Sequence, residues 1–396
     1  MQVPTIVARG AGGVLSAALL TACAGDPSAG DRSAGDVGAV PLGEADAALD
    51  EGFSVLSTVR ELPGGRVLVA DPLSQIVVAL DLDAGVADTI GGLGSGPAEY
   101  RQPDAVWPLP EGRTLLVDLG NGRLTVLSPD LEFGDTRLFA TVDPREGTVL
   151  RAIPHAVDGA GRVYFGGLRG SEASPDSMTI LRLDLDTDAV DSVGVFKRAA
   201  ITMEISDGGV RTRPVPLSPV DAWGVAADGR VVVARARDYT VEWIATDGTV
   251  TSGAPVPWTR RRIGRPERLA WRDSQAETGG GLTVRDERVN GEIRRTVLRP
   301  GSREDEAELD SYEWPAFLPP FSDRPILVDG TGRAWVRRHR EADGTLQYDL
   351  FDGTGAVVLK VVLDSQRRVV GFGDGTLYAV RMDESGLQYL ERYVLP

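Results

Sequence analysis

Cysteine and histidine are almost missing from this chain. Its 396 residues include one cysteine, Cys23, and two histidines, His155 and His339. A single cysteine excludes a disulfide within the chain, so packing must provide the stability of the fold. Two histidines exclude a three-histidine zinc site and disfavour copper or haem chemistry that relies on several histidine ligands.

Basic residues are also scarce relative to acidic ones. The chain has 42 Lys and Arg against 58 Asp and Glu, a formal net charge of −16. The phosphates of nucleic acids and the headgroups of anionic lipids would repel a chain of this charge. We therefore expect no nucleic-acid partner and no electrostatic binding to anionic membranes.

The apolar run near the N-terminus is too short to be a membrane-spanning helix. Arg9 is the single charge in residues 1–22, and the apolar stretch from Ala11 to Leu20 follows it. A spanning helix needs roughly 20 apolar residues, whereas a short apolar core behind a positive charge is typical of a secretion signal. We therefore expect residues 1–22 to be a cleaved signal peptide.

The end of this segment carries a short motif. Leu20-Thr21-Ala22-Cys23 resembles the lipobox of bacterial lipoproteins, in which the cysteine receives a diacylglycerol and becomes the new N-terminus. The resemblance implies lipid attachment at Cys23 and a domain held at the cell envelope, outside the cytoplasm. The alternative is an ordinary secretory signal with a chance cysteine. Ala24 after the cysteine favours the outer membrane, by analogy with the sorting rule of some bacteria.

Residues 23–36 form the expected connection between lipid and domain. They are rich in Gly, Ala, Ser and Asp and have no apolar pattern. Such composition is typical of a flexible tether.

A glycine followed by a short apolar strand recurs six times along the rest of the chain. The spacings between these glycines are 47, 49, 68, 103 and 43 residues, and the shorter ones match a four-stranded propeller blade of roughly 40–50 residues. The repeat predicts an all-β fold over residues 37–396, a six-bladed β-propeller with four-stranded antiparallel blades. The six glycines are Gly65, Gly112, Gly161, Gly229, Gly332 and Gly375.

The last repeat reaches the end of the sequence before a fourth strand. We expect an N-terminal strand within the stretch Val37 to Leu42 to supply this missing outer strand and so close the ring. The alternative is a three-stranded last blade.

One connector between repeats resembles a known group of propellers. Gly92 to Tyr100, followed by Pro103, reads GLGSGPAEY and is similar to the glycine-rich connector of bacterial six-bladed propellers related to the NHL-repeat group. Ala98 departs from the usual glycine. A nucleotide-binding loop is the other interpretation of such glycines, but no βαβ unit and no Lys-Ser/Thr pair accompany them.

The longest glycine spacing contains an insertion, residues 258–320, between the fourth and fifth repeats. It predicts a helix from Pro266 to Glu277 and carries an acidic run from Glu304 to Asp310. One hypothesis makes the insertion a lid whose arginines bind an anionic ligand; the other pairs these arginines with the acidic run. The lid arginines are Arg260, Arg261, Arg262 and Arg265.

Four polar residues lead the predicted inner strands, at the mouth of the central channel. Such a ring of residues could hold a divalent cation through oxygen ligands. Gluconolactonase-like propellers, which this arrangement resembles, use calcium-type sites for ester hydrolysis. The alternative is that the residues only hydrate a water-filled channel. They are Asp104, His155, Asp221 and Arg324, of which the first three are the candidate metal ligands.

Two classes of function follow. The first is a non-enzymatic binding scaffold whose channel mouth and insertion hold a peptide, a glycan or a partner protein, since long loops on a rigid ring suit recognition. The second is a metal-dependent lactonase or related hydrolase. Tryptophans that stack sugars would support a glycan ligand, but such residues are more often blade core.

The lipid anchor predicts the outcome of one substitution. Cys23→Ser removes the only thiol that can be acylated, so the mature domain should move from the membrane fraction to the soluble extracytoplasmic fraction. Fractionation followed by immunoblotting measures this. Tight membrane association of the Cys23→Ser variant would contradict the anchor.

Overall fold

A computed structural model describes nine stretches of the chain. The predicted signal peptide, Cys23, the tether and the residues Glu304 to Glu308 of the acidic run lie outside them. No helix in the described stretches is long and apolar enough to cross a membrane. The described residues are 37–142, 149–167, 176–206, 209–276, 283–289, 292–298, 309–341, 343–364 and 366–396.

Six four-stranded antiparallel sheets follow one another along the chain and form the six blades. From the inner to the outer strand, blade 1 contains Val59–Glu61, Val67–Asp71, Ile76–Asp81 and Val86–Thr89. Blade 2 contains Pro103–Pro108, Thr114–Asp118, Arg123–Leu127 and Phe133–Leu138. Blade 3 contains Ala156–Val157, Val163–Gly167, Ser177–Leu183 and Val190–Lys197.

The second half of the ring repeats this order. Blade 4 contains Ala222–Val225, Val231–Arg235, Thr240–Ile244 and Val250–Ser252. Blade 5 contains Leu327–Val328, Ala334–Arg337, Leu346–Phe351 and Val357–Leu363. Blade 6 contains Arg367–Phe372, Thr376–Met382 and Gln388–Val394, with Ala47–Ala48 as its outer strand.

The remaining elements lie outside the six blade sheets. The single α-helix of the described residues is Arg265–Ala276, and it begins one residue before the predicted Pro266. The predicted last residue, Glu277, lies outside the described stretches. A 3-10 turn spans Pro110–Gly112. The additional paired strands are Gly92–Leu93 with Glu99–Tyr100, Ala140–Val142 with Val149–Arg151, Ile201–Ser206 with Gly209–Pro214, and Thr283–Val289 with Glu292–Leu298.

The cores of the protein lie between the blades. Successive side chains of a strand point to opposite faces of its sheet. In blade 1, Val67 and Val69 therefore pack against blade 6, whereas Leu68 and Ala70 pack against blade 2. The other four blade junctions hold one apolar cluster each. Every blade is thus apolar on both faces, and a closed ring buries all of these faces.

The six repeat glycines occupy the turns from inner to second strands. All six have a positive φ, for example 80° at Gly161 and 84° at Gly332, a backbone region that glycine adopts without steric cost. In two of these turns a buried carboxylate organises the loop. Asp158 accepts hydrogen bonds from the Arg162 side chain and the Tyr164 hydroxyl, and Asp329 accepts them from Arg333 and the Trp335 indole.

An N-terminal strand closes the ring, as predicted, but it is not in the stretch Val37 to Leu42. Ala39–Pro41 pairs in parallel with Val357–Leu363 and adds a fifth strand to blade 5. Ala47–Ala48 pairs antiparallel with Gln388–Val394 and completes blade 6. The prediction of the strand was wrong because both segments are short and neither has an alternating pattern that fixes its partner.

The buried side chain of Gln388, in the third strand of blade 6, links the last blade to the segment that leads into the first. Its side chain is 1% exposed, and its Oε1 accepts hydrogen bonds from the Leu56 N–H and from Arg368 Nη2, both at 3.0 Å. Arg368 also donates to the Leu56 carbonyl at 2.6 Å. One amide oxygen therefore satisfies donors from both ends of the chain.

Replacement of this amide should weaken the closure. Gln388→Leu leaves the buried Leu56 N–H and Arg368 without this acceptor, so we expect a loss of about 3 kcal/mol in the free energy of unfolding. Gln388→Glu keeps an acceptor oxygen beside Arg368 and should lose less than half as much. Urea denaturation measures the free energy of unfolding of both variants. Equal losses would show that the acceptor oxygen does not account for the stabilisation.

Candidate functional site

One face of the ring carries nearly all of its elaborations. Because the strands of each blade are antiparallel, the start of the inner strand, the loop between second and third strands and the connection to the next blade share one edge. We call this edge of the ring the upper face. The helix and the four additional strand pairs all lie in connections between blades, and hence on the upper face.

His155 lies at the predicted position but is held by the neighbouring blade. Its ring stacks on the Trp223 indole with 3.8 Å between centroids, and its Nε2 lies 2.9 Å from the Trp223 carbonyl. A carbonyl only accepts, so Nε2 carries the proton in this contact. Burial lowers the pKa of His155 to about 4, which leaves a neutral imidazole that links blades 3 and 4.

Asp221 is likewise bound by its surroundings. Its carboxylate accepts hydrogen bonds from the backbone N–H groups of Lys197 and Ala236, at 3.0 and 2.9 Å. Arg235 Nη1 donates to it at 3.0 Å, and Nη2 of the same guanidinium group forms an ion pair with Glu242. The carboxylate therefore ties the outer strand of blade 3 to blade 4.

The other two residues of the predicted ring have separate environments. Burial raises the pKa of the Asp104 carboxyl, whereas Arg324 Nη2 donates to the Ser274 carbonyl of the helix at 2.9 Å. Within the described stretches, no group of three or more His, Cys, Asp or Glu side chains is placed to hold a metal ion. The structure therefore does not bring Asp104, His155 and Asp221 together as a ligand set.

The lid arginines of the insertion lie beside the upper face. Arg261 forms an ion pair with Glu341, while Arg260 and Arg262 lie over the Phe317 ring at 4.2 and 5.3 Å from its centroid. Arg265 begins the helix. None of the four is among the described residues that line the cavity on this face.

This cavity has a volume of about 460 Å³ and lies between three segments of the upper face. The segments are the connection from blade 3 to blade 4, the insertion with its helix, and the lead into blade 5; His339 joins them from the loop between the second and third strands of blade 5. Leu217, which lines it, has a φ of 54°, a left-handed conformation unfavourable for a residue with a Cβ. The other main lining residues are Arg213, Pro214, Pro216, Trp271, Tyr312, Phe321 and His339.

Aromatic rings fix the wall of the cavity that the insertion provides. Trp271 of the helix meets Tyr312 and Trp314 edge to face, with centroids 5.6 and 5.5 Å apart. Edge-to-face pairs of this kind are favourable beyond the area they bury. Arg213, from the opposite wall, lies 5.8 Å from the Tyr312 ring and donates to the Ser311 hydroxyl at 3.3 Å. The insertion is therefore packed on the ring by specific contacts.

His339 presents a buried nitrogen with no partner among the described residues. It hydrogen-bonds the Phe321 backbone, while its Nε2 is buried without a partner. Burial, with the positive charges of Arg261, Arg338 and Arg337, lowers its pKa to about 3. The imidazole is neutral at neutral pH, and the contact with the Phe321 carbonyl leaves Nε2 as a bare acceptor.

A recess of about 50 Å³ adjoins the cavity. Leu217, Trp271, Asp323 and His339 line both spaces, so the recess and the cavity share these walls. The cationic lining of the recess consists of Arg324, Arg337, Arg338 and Arg340. Sequence reasoning named only Arg324 of these. The run Arg337-Arg338-His339-Arg340 could have indicated a cationic site. The other residues that line the recess come from segments far away in the sequence, so the run alone did not show where the site lies.

Known proteins resemble this chain only distantly. No family model matches it, and no curated protein does. A candidate exported protein of Bacteroides fragilis is 12% identical, with 91% of this chain and 95% of that chain covered and a TM-score of 0.46. Virginiamycin B lyase of Staphylococcus aureus is 9% identical, with coverages of 89% and 99% and a TM-score of 0.41. The calcium-binding protein regucalcin of Agrobacterium tumefaciens is 11% identical, with coverages of 90% and 97% and a TM-score of 0.35. Similarities this distant carry no inference about ligand or reaction.

Proposed function

We propose that this protein is a non-enzymatic binding module of the cell envelope, anchored through Cys23, that holds its ligand in the upper-face cavity. The observation that carries the proposal is the cavity itself, about 460 Å³ in volume. Ligand pockets in proteins have volumes of roughly 300–1,000 Å³, with apolar and aromatic walls and a few polar groups. The ligand is a small organic molecule, or a side chain or sugar of a peptide, protein or glycan partner.

The lining of the cavity supports binding of a ring or an apolar chain. Trp271, Tyr312 and Phe321 provide aromatic surface, and Pro214 and Pro216 provide rigid aliphatic surface. Their conformations are fixed before a ligand arrives, because the aromatic residues pack on one another and on the ring. Binding to such a surface loses little conformational entropy.

The anchor supports a role at the envelope. The lipobox-like motif at Leu20 to Cys23 and the tether that follows it would hold the domain near a membrane yet free to turn. With a span of roughly 5–6 Å × √n for a flexible chain, the 23–36 tether keeps the propeller on the order of 20 Å from the lipid. A tethered binder of this kind meets ligands at the membrane surface.

A metal-dependent lactonase is the alternative, and no contact in the described structure favours it. Such an enzyme needs several oxygen ligands around one cation. The Asp221 carboxylate already accepts three hydrogen bonds from Lys197, Ala236 and Arg235. The His155 Nε2 is directed at a carbonyl.

Metal analysis distinguishes the two functions. After dialysis against buffer containing calcium, magnesium or zinc, the binding module should retain well below one metal ion per chain by plasma mass spectrometry. Retention of one ion per chain that is lost in Asp104→Asn would instead support the hydrolase.

The cavity predicts binding of a neutral aromatic probe. N-phenyl-1-naphthylamine fluoresces in apolar surroundings, and Trp271→Ala removes the largest apolar wall, so the affinity for the probe should fall by roughly tenfold or more. Trp107→Ala removes a half-buried indole in blade 2, away from the cavity, and should leave the affinity unchanged. Fluorescence titration measures both, with thermal unfolding as a check on folding. Equal binding by the wild type and both variants would place the probe elsewhere and refute the site.

A further inference from the structure

The short strand at the start of the described chain has a fixed direction on the ring. Ala39–Pro41 pairs in parallel with Val357–Leu363, the fourth strand of blade 5, and Ala39 lies opposite Lys360. Strands that pair in parallel run in the same direction. The start of the short strand therefore points to the end of blade 5 at which Val357 lies.

That end of blade 5 is opposite the upper face. We call this opposite edge of the ring the lower face; it carries the turns between first and second strands and between third and fourth strands. Val357 directly follows such a turn, in which Asp352 accepts a hydrogen bond from the Ala356 N–H at 3.1 Å. Val357–Leu363 thus runs from the lower face to the upper face, and the chain enters the fold from the lower face.

Val37 holds the chain at this point of entry. Its half-buried side chain packs against the core between blades 4 and 5, and that core includes Val357. The contact is independent of the backbone pairing of Ala39–Pro41 and agrees with it. Together they place the end of the tether at the lower, outer edge of blade 5.

We propose that the anchored protein turns this edge of blade 5 toward the lipid and its cavity toward the aqueous phase, so that its ligand is a dissolved molecule and not a lipid of the membrane. The inference rests on the proposed function, since it concerns the same cavity and the same anchor at Cys23. The cavity is lined by residues of the upper face, whereas the chain enters from the lower face.

The lengths involved separate the cavity from the lipid. Val357–Leu363 has 7 residues, and such a strand spans about 23 Å at roughly 3.3 Å per residue. Added to the span of the tether, this places the cavity on the order of 40 Å from the lipid. The opposite orientation would need the tether to reach along the whole height of blade 5. This exceeds its average span, so the opposite orientation costs conformational entropy.

Charge gives the domain no general attraction to a membrane that would compete with the tether. The chain has a net charge of −16, which anionic lipids repel. On the upper face, Arg261 forms an ion pair with Glu341, and Arg268 forms one with Asp310. We therefore expect the point of entry to set the average orientation in neutral and in anionic membranes alike.

Two matched labelling sites make the orientation measurable. Cys23 is the only cysteine of the chain, so once it is acylated an introduced cysteine is the single thiol available to a dye. Ala356→Cys lies at the lower face, next to Val357. Ala200→Cys lies on the upper face, next to Ala199, which lines the cavity. Both alanines are exposed, so neither substitution disturbs a core.

Energy transfer to labelled lipids tests the proposal. The acylated full-length variants, each with one donor dye, are reconstituted into phosphatidylcholine vesicles that contain an acceptor-labelled lipid. Transfer from Ala356→Cys should be at least about twofold more efficient than transfer from Ala200→Cys, because the two dyes differ in height by about one strand length. The same order is expected when phosphatidylglycerol is added to the vesicles.

The possible failures have different meanings. Equal transfer from both sites, or more efficient transfer from Ala200→Cys in either kind of vesicle, would overturn the orientation and leave the anchor standing. Absence of transfer from both sites would overturn the anchor, and with it the envelope role in the proposed function. The Cys23→Ser form of each variant, which has no lipid, gives the background.

A longer tether tests the cause of the orientation. Doubling the tether with Gly and Ser residues inserted after Asp36 leaves the domain unchanged and lowers the entropic cost of turning the ring over. The difference in transfer between the two sites should therefore become smaller. An unchanged difference would show that the tether and its point of entry do not set the orientation, and would overturn the inference.

Capture by a large soluble protein tests which face is open to the aqueous phase. Biotin attached at Ala200→Cys should bind streptavidin as fast in the vesicle-bound protein as in the same protein in detergent. Biotin at Ala356→Cys should bind it more slowly in vesicles than in detergent, because the lipid lies nearby. Slower capture at Ala200→Cys alone would place the cavity toward the lipid and overturn the proposal.

Discussion

Each blade of this protein is apolar on both faces, and the rest of the structure depends on that constraint. A sheet with one apolar face can be solvated on the other, but Val67 and Leu68, adjacent in one strand, lie in different cores. No blade can therefore be stable in water without two neighbours. The ring must therefore close. At the closure, between blades 6 and 1, Gln388 forms hydrogen bonds with Leu56 and Arg368. Without disulfides, packing between blades and these buried polar contacts hold the ring together.

The same constraint separates stability from recognition. Both faces of every blade are buried in the cores, so sequence and length can vary freely only in the connections between blades. The helix and the additional strand pairs all lie in these connections. Phe321 marks the boundary between the two roles, since it belongs to the core between blades 4 and 5 and also lines the cavity. The binding surface is thus supported from below by the packed core between blades 4 and 5.

Sequence reasoning predicted the ring more fully than the site. The repeat glycines mark tight turns that any blade needs, so their spacing was enough to predict the architecture. Position on an inner strand did not reveal that Asp221 accepts the Lys197 N–H or that His155 stacks on Trp223, because these partners belong to other elements. Ala98 has a φ of 58° at the place where the resemblance has glycine. The cavity is lined by Arg213 and Trp271, from two connections between blades, and by His339, from a loop of blade 5. No local sequence pattern indicates that residues so far apart in the chain lie together.

The strand that closes blade 6 also sets an order of events for the chain. Ala48 pairs with Glu391, so a strand near the start of the fold is the partner of the last strand. Contacts between residues so far apart in sequence form slowly, and this one cannot form until the ribosome has made the final strand. The unfinished chain has no complete ring into which it could fold prematurely. A protein built in this way completes its ring only after its last strand has been made.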